Sequence, residues 1–200
     1  MARDPGRRPG LTVYLARHGQ TEWNVAGRRQ GRLDSPLTDL GLRQAARNAE
    51  LLSTERIDAV FASPLGRARR TASIIGAALG LTVEVLEDLA EIDHGSWAGL
   101  TSAEIDAGWP GQRAERERDK YGFRFPEGER YADGDVRAGR ALAEVGRAGV
   151  RRPLLVSHEM IGRMLLRQLG VADALGTRQP SDVVYRVRTD GTVERLSSAN

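Results

Sequence analysis

The chain has no cysteine, three histidines and a single lysine, Lys120, among its 200 residues. The lack of cysteine excludes disulfides, thiolate metal sites and a cysteine nucleophile, and we expect a cytoplasmic protein. No apolar run approaches the length of a bilayer-spanning helix, so the sequence predicts no membrane partner. Residues 1–10 lack the apolar core of a secretory signal, and we interpret them as a disordered tail.

The chain also lacks a strong excess of one charge. It has 30 basic and 27 acidic residues, and the two signs are interspersed. This distribution is not typical of a nucleic-acid-binding surface, so we expect no nucleic-acid partner. All but one of the basic residues are arginine, which makes any single arginine weak evidence for a site. The length suits one domain, over residues 11–200, and leaves a homodimer open.

Strand-like and helix-like segments alternate along the chain, which is typical of a mainly parallel sheet with helices on both faces. The predicted strands cover residues 11–16, 59–62, 81–86 and 153–157, followed by a hairpin of residues 182–188 and 192–196. Residues 20–36 are predicted as a polar loop. The predicted helices are one capped by Thr38, one over residues 65–79 that ends at Gly80, one over residues 136–150, and one through Ile161, Leu165 and Leu169.

Residues 100–128 interrupt this alternation with a charged and aromatic stretch that contains proline and glycine. We interpret the region of about residues 100–130 as an insertion that caps the site, with two short helical pieces. The sequence therefore predicts an α/β fold, a three-layer α/β/α sandwich with a small capping insertion.

Four segments place a reactive side chain where a strand ends or a helix begins. Arg17-His18 follows the first strand, Arg67 lies in the first turn of a helix, Glu91 follows a strand, and His158 lies between a buried strand and a helix. In open α/β sheets, ligands bind outside the carboxyl ends of the strands. Each of these residues alone has an ordinary structural alternative, but their combination predicts a site for an anion.

The chain resembles the histidine phosphatase superfamily, the phosphoglycerate mutase-like group with an RHG motif. The motifs that carry the resemblance, spread over residues 12–188, are Arg17-His18-Gly19, Thr21, Asn24, residues 31–41 (GRLDSPLTDLG), Arg67-Ala68, Glu91 and Ser157-His158. The resemblance implies a phosphoglycerate mutase-like fold. It also implies a metal-independent phosphoric monoester hydrolase, without a cofactor, whose partner is a small phosphorylated metabolite of sugar phosphate or phosphoglycerate type.

By this resemblance His18 is the phosphoacceptor, Arg17, Arg67 and His158 surround the phosphoryl group, and Glu91 is the proton donor. The residue types suit these roles. A neutral imidazole has a free lone pair at cellular pH, and the guanidinium fork is permanently charged and grips two phosphate oxygens. His94 is expected to be a turn or supporting residue.

Residues 91–131 are similar to the bisphosphatase half of 6-phosphofructo-2-kinase/fructose-2,6-bisphosphatase and to broad-specificity bacterial phosphatases. This similarity implies a basic and aromatic substrate-binding set of Arg116, Lys120, Tyr131 and Arg163. A solvated charged helix over residues 113–120 is the alternative. The other residues that we expect to contact substrate are Thr21, Asn24, Gln30, Gly31 and Glu159.

Three residues depart from the pattern of the family. Ser102 stands where the bisphosphatases have tyrosine and the mutases have lysine, which argues against a mutase. Arg130 replaces a serine. Glu159 replaces glutamine or glycine, and its charge is unfavourable beside a phosphate unless it faces away or pairs with an arginine. A phosphoglycerate mutase, a phosphoprotein phosphatase and a module that only binds a phosphorylated ligand remain as alternatives, and a nucleic-acid binder is the weakest.

Overall fold

The computed structural model describes residues 10–197, so the predicted tail lies outside the described residues apart from Gly10. Six strands form one sheet in the order β3-β2-β4-β1-β5-β6. Their bounds are β1 Thr12–Arg17, β2 Ala59–Ala62, β3 Val83–Val85, β4 Pro153–Ser157, β5 Val184–Arg188 and β6 Val193–Leu196.

The sheet is mostly parallel, as predicted. Strands β1, β2, β3 and β4 pair in parallel, whereas β5 runs antiparallel to both β1 and β6. In the register of β1 and β4, Arg17 pairs with Ser157. The residues that follow, His18 and His158, therefore leave the sheet side by side at its carboxyl edge.

The described residues contain seven α-helices and two short 3₁₀ turns, Glu87–Leu89 and Gly95–Trp97. The helices are α1 Glu22–Val25, α2 Asp39–Leu52, α3 Gly66–Leu79, α4 Ser102–Gly108, α5 Gln112–Arg118, α6 Tyr131–Arg147 and α7 Glu159–Gln168. Within residues 10–197, no helix combines the length and the apolar character needed to cross a bilayer.

The two faces of the sheet carry separate hydrophobic layers, because successive side chains of a strand point to opposite faces. On β1, Tyr14 and Ala16 belong to the layer that includes α2 and α3. Val13 and Leu15 belong to the layer that includes α6 and α7. This arrangement confirms the predicted three-layer α/β/α fold.

The structure corrects three element boundaries. The third strand is shorter than predicted, Val83–Val85 rather than residues 81–86. The polar loop of residues 20–36 contains α1, which Thr21 and Asn24 cap reciprocally.

Helix α6 begins at Tyr131 rather than at residue 136, because a hydrogen-bonded box between Arg130 and Asp133 starts the helix earlier. The two short helical pieces predicted for residues 100–128 are present as α4 and α5.

Candidate active site

His18 is buried immediately after β1, and its two ring nitrogens have different partners. Nδ1 lies 2.8 Å from the carbonyl oxygen of Gly19, and Nε2 lies 3.2 Å from Nε of Arg67. A carbonyl only accepts and a guanidinium only donates, so these contacts assign the proton to Nδ1 and the lone pair to Nε2. Burial first, then the charges of Arg67 and Arg17, lower the pKa of His18 well below its usual value. The imidazole is therefore neutral at physiological pH.

His158 lies beside His18, with the two ring centroids 5.1 Å apart. Its Nε2 lies 2.7 Å from the hydroxyl oxygen of Ser63, which also accepts a hydrogen bond from the backbone N–H of Leu65. Its Nδ1 is buried and has no hydrogen-bond partner among the described residues. Burial, followed by the positive charge of Arg67, lowers the pKa of His158.

The guanidinium of Arg67 is buried and oriented by the loop that precedes α2. Its Nη1 donates to the carbonyl of Leu33 at 2.7 Å and to Oδ1 of Asp34 at 3.0 Å, and its Nη2 donates to the carbonyl of Gly31 at 2.8 Å. Its Nε donates to His18. The loop of residues 31–34 thus fixes the guanidinium plane against the imidazole.

Glu91 is buried and lies six residues beyond the end of β3, after a 3₁₀ turn. Its Oε1 accepts from the backbone N–H groups of Ile92 and Ile161, both at 2.9 Å, and its Oε2 accepts from the N–H of Met160 at 3.2 Å. Met160 and Ile161 lie in the first turn of α7, where backbone N–H groups have no partner within the helix and are free to bind a side-chain oxygen. The carboxyl group is therefore fixed next to the segment that carries His158.

Arg17 and Arg163 are joined by the carboxylate of Glu159. Glu159 lies 2.9 Å from Nη1 of Arg17 and 2.7 Å from Nη2 of Arg163. Arg17 also donates to the carbonyl of Gln179, and Arg163 donates to the carbonyl of Thr177. Of the two arrangements considered from sequence, the structure shows the one in which Glu159 pairs with an arginine.

Two of the residues predicted from the capping segment form a buried pair, and a third does not join them. Nη2 of Arg116 donates to the hydroxyl of Tyr131 at 2.8 Å, and its guanidinium lies 5.5 Å from the ring centroid of Phe125. Burial raises the pKa of Tyr131, and the nearby charges of Arg116 and Arg163 oppose this shift. Lys120 pairs with Glu117 at 3.0 Å on a partly exposed surface.

The remaining predicted substrate contacts lie in the loop after β1. Thr21 and Asn24 bind each other across the start of α1. Gln30 is buried, and its Oε1 has no partner among residues 10–197. Gly31 has a positive φ of 54°, and its carbonyl binds Arg67. That any of the four contacts substrate stays a prediction.

Sequence reasoning assigned no role to several residues that support this site. Ser63 could have been found, because it follows β2 just as His18 follows β1. Thr177, Gln179 and Asp34 act through contacts distant in sequence, which no local pattern indicates. His94, expected in a turn, is fully enclosed: its ring stacks on Phe125 at 4.7 Å, and burial lowers its pKa to about 3.

Two glycines let the loop after β1 touch the start of α2 directly. A β-carbon on Gly19 would lie 2.3 Å from the carbonyl oxygen of Gly41, and one on Gly41 would lie 2.1 Å from that of Gln20. Both separations are far below van der Waals contact. The N–H of Gly19 also donates to the hydroxyl of Thr71 in α3. The turn that carries His18 is thus anchored to both helices of this layer.

The described part of the chain contains no group of three or more histidine, aspartate or glutamate side chains placed to hold a metal ion. The polar groups gathered at the carboxyl edge of the sheet are two imidazoles, two guanidinium groups and one buried carboxylate. Such a set fits a tetrahedral oxyanion, because the arginines supply charge and directed donors.

Comparisons with known proteins identify the family of this chain. The sequence pattern of the Histidine phosphatase superfamily (branch 1) matches residues 13–194. The "Probable phosphoglycerate mutase GpmB" of Yersinia pestis (strain Pestoides F) is 39% identical over 166 residues, which cover 80% of this chain and 76% of that protein.

Solved structures with a similar fold include a phosphatase. A mycobacterial glucosyl-3-phosphoglycerate phosphatase in complex with VO3 superimposes with a TM-score of 0.80 at 30% identity, covering 94% of this chain and 100% of that chain. YhfR of Bacillus stearothermophilus has a TM-score of 0.78 at 29% identity, with coverage of 94% and 96%. The chain therefore belongs to the histidine phosphatase superfamily, a family of phosphatase enzymes.

Proposed function

We propose that this protein is a phosphoric monoester hydrolase that cleaves a small phosphorylated metabolite through a phosphohistidine at His18. One observation carries the proposal: the lone pair of His18 Nε2 faces the Arg67 guanidinium, with the His158 ring 5.1 Å from the His18 ring. A nucleophile beside fixed donors is what phosphoryl transfer requires, since the reaction depends mainly on positioning and on charge stabilisation.

In the first step, the Nε–H of Arg67 turns from Nε2 of His18 to a phosphoryl oxygen, the freed lone pair of Nε2 attacks the phosphorus, and the bond from phosphorus to the ester oxygen breaks. The proton of His18 stays on Nδ1 and donates to the carbonyl of Gly19, which stabilises the ring as positive charge develops. The departing oxygen takes a proton from the carboxyl group of Glu91 and leaves as a neutral alcohol. Oε2 of Glu91 accepts one long hydrogen bond, at 3.2 Å, so it is the oxygen with room for that proton.

In the second step, the Glu91 carboxylate takes a proton from water, and the resulting hydroxide attacks the phosphohistidine. The bond between phosphorus and Nε2 breaks, which restores the neutral imidazole and releases inorganic phosphate. Arg17, Arg67 and the Nδ1–H of His158 would bind the non-bridging oxygens in both steps. Donors that are already fixed stabilise the transition state without reorganisation.

The substrate class is a sugar phosphate or a phosphoglycerate-type compound. The mycobacterial phosphatase described above acts, by its name, on glucosyl-3-phosphoglycerate. Arg116 and Tyr131, buried together in the capping segment, are the candidates for contacts to the rest of the substrate. Lys120 is a weaker candidate for a substrate contact, because its ammonium group already pairs with the carboxylate of Glu117.

The decisive experiment measures p-nitrophenyl phosphate hydrolysis with and without EDTA between about pH 5 and 8, together with rapid quenching to trap phosphohistidine. We expect turnover, a trapped phosphoenzyme, and loss of both in His18→Ala. Glu22→Gln, an exposed change in the neighbouring α1, is the control. Absence of both turnover and trapped intermediate in the unmodified protein would rule the proposal out. Turnover abolished by EDTA would instead reject the metal-independent mechanism.

A phosphoglycerate mutase is the second candidate, because the Yersinia relative carries that name. A mutase would move isotopic label between positions of phosphoglycerate faster than it releases inorganic phosphate. Ser102, at the position where the mutases carry lysine, favours hydrolysis. Comparing the two rates in one reaction mixture decides between the two activities.

A further inference from the structure

Glu159 places a negative charge next to the residues that would bind the phosphoryl group. It is the first residue of α7 and directly follows His158. Its carboxylate bridges Arg17 and Arg163 at 2.9 and 2.7 Å. The side chains of Glu159 and Arg17 are 28% and 21% exposed, so an anion from solution can reach this ion pair.

The carboxylate and a phosphoryl group would compete for the same cation. Nη1 of Arg17 already binds Glu159, and Arg17 is one of the guanidinium groups that would hold the phosphoryl oxygens. An incoming phosphate must either displace Glu159 from Arg17 or accept a like charge beside it. In both cases the binding of the phosphate is weaker than it would be without the carboxylate.

Glu159 is not needed to hold the two arginines in place. Arg17 ends β1, where its backbone pairs with Ser157, and its side chain also donates to the carbonyl of Gln179 at 3.3 Å. Arg163 donates through Nε to the carbonyl of Thr177 at 2.9 Å. A neutral residue at position 159 would leave both guanidinium groups tethered.

We propose that Glu159 sets the affinity of this site for oxyanions by competing with them for Arg17. Arg163 retains the carboxylate when a phosphoryl group takes Arg17. The competition weakens the binding of inorganic phosphate, the product, and so speeds its release. This inference rests on the proposed function only in that it places the phosphoryl group at Arg17.

The test is the binding of inorganic phosphate and of vanadate, measured by calorimetry without any turnover. We expect Glu159→Gln to lower both dissociation constants by about tenfold, or about 1.4 kcal/mol. Asp39→Asn is the matched control, because Asp39 is the exposed first residue of α2 and its loss removes an equal charge from an equivalent helix position. An unchanged or larger dissociation constant in Glu159→Gln overturns the inference.

A double-mutant cycle separates competition from a direct role of Arg163. Arg163→Met should weaken phosphate binding in the unmodified protein, because Glu159 then has Arg17 alone as its partner. The same change should have little effect in the Glu159→Gln background. An equal loss in both backgrounds means that Arg163 itself binds the anion, and it counts against the proposed role of Arg163.

Binding and turnover together distinguish this inference from the proposed function. If phosphate binds more tightly to Glu159→Gln while no variant hydrolyses a phosphomonoester, the inference stands and the hydrolase fails. If the unmodified protein turns over but Glu159→Gln binds phosphate no more tightly, the hydrolase stands and the inference fails. Glu159→Ala serves as a second variant, and thermal unfolding of each protein verifies that it is folded.

Discussion

The Nε–H of Arg67 donates to Nε2 of His18 over 3.2 Å. The same guanidinium is held by the carbonyl oxygens of Gly31 and Leu33 and by the carboxylate of Asp34. These loop oxygens bind Nη1 and Nη2, which fixes the plane of the guanidinium and directs its Nε–H at the imidazole. The lone pair that would attack phosphorus therefore faces a positive charge before any substrate arrives.

We expect Arg67→Lys to lower kcat/KM for p-nitrophenyl phosphate by about 100-fold or more, since losing one preorganised donor typically has an effect of this size. An ammonium group cannot contact the imidazole and the three loop oxygens together. The control is Arg69→Lys, an exposed change on the same helix. If Arg67→Lys retains nearly full kcat/KM, the fork geometry has no catalytic importance.

We predict that Ser63 acts on the proposed reaction through His158, as a positioning residue. Its hydroxyl oxygen accepts from the N–H of Leu65 and lies 2.7 Å from Nε2 of His158. We expect the hydroxyl to donate to Nε2, which leaves the ring proton on Nδ1. Ser63→Ala should therefore lower kcat by about tenfold or more and change the pH profile of kcat. Ser73→Ala, in an exposed part of α3, is the control. An unaltered pH profile would show that Ser63 only fills space.

Replacing Glu91 tests proton donation, because the need for an acid depends on the leaving group. Glu91→Gln keeps an acceptor for the N–H groups of Ile92 and Ile161. We expect a fall in kcat of about 10²- to 10⁴-fold for an alkyl phosphate, and a much smaller fall for p-nitrophenyl phosphate. Glu87→Gln, an exposed change in the preceding 3₁₀ turn, is the control. Equal losses for both substrates contradict the role of Glu91 as an acid.

The three buried histidines predict a loss of stability in mild acid. Burial lowers the pKa of His18, His94 and His158, and that of His94 falls to about 3. Below the usual histidine pKa of about 6.5, the unfolded chain binds protons that the native ring does not, so stability decreases as pH falls. Each histidine contributes a slope of at most about 1.4 kcal/mol per pH unit.

His94 is the best position at which to test this slope, because it lies outside the proposed reaction. His94→Phe keeps an aromatic ring against Phe125 and removes a buried Nδ1 that has no partner in the described chain. Between about pH 7.5 and about pH 5.5, we expect the free energy of unfolding of His94→Phe to fall less than that of the unmodified protein. The difference corresponds to the uptake of about one proton fewer on unfolding. Denaturant titrations at several pH values measure it, and an identical slope contradicts the assignment.

Much of the fold and of the candidate site follows from local patterns. Apolar runs that stop at His18 and His158 predicted parallel strands, and parallel strands bring their carboxyl ends together. The structure accordingly gathers these histidines with Arg17, Arg67 and Glu91. The two alternatives for Glu159, facing away from the phosphate or pairing with an arginine, also followed from its charge, and the structure shows the pairing.

Other features required the folded chain. Helix α6 begins after Arg130, where Asp133 accepts hydrogen bonds from the backbone N–H and the guanidinium of Arg130, and sequence statistics do not favour arginine in the cap position. The carbonyls of Thr177 and Gln179 bind their arginines across long sequence separations. Backbone acceptors carry no side-chain signature, so no motif reveals them. Lys120 forms an ion pair with Glu117 that no motif indicates, and its contact with substrate stays a prediction.

The contact between Gly19 and Gly41 has a consequence for how the nucleophile is aimed. Two peptide backbones meet there with no side chain between them, and peptide planes are stiffer than rotatable side chains. The orientation of the His18 ring therefore depends on how α2 packs against the turn that follows β1. A single methyl group added at this crossing would force the turn and α2 apart, and the turn includes the Gly19 carbonyl that binds Nδ1 of His18.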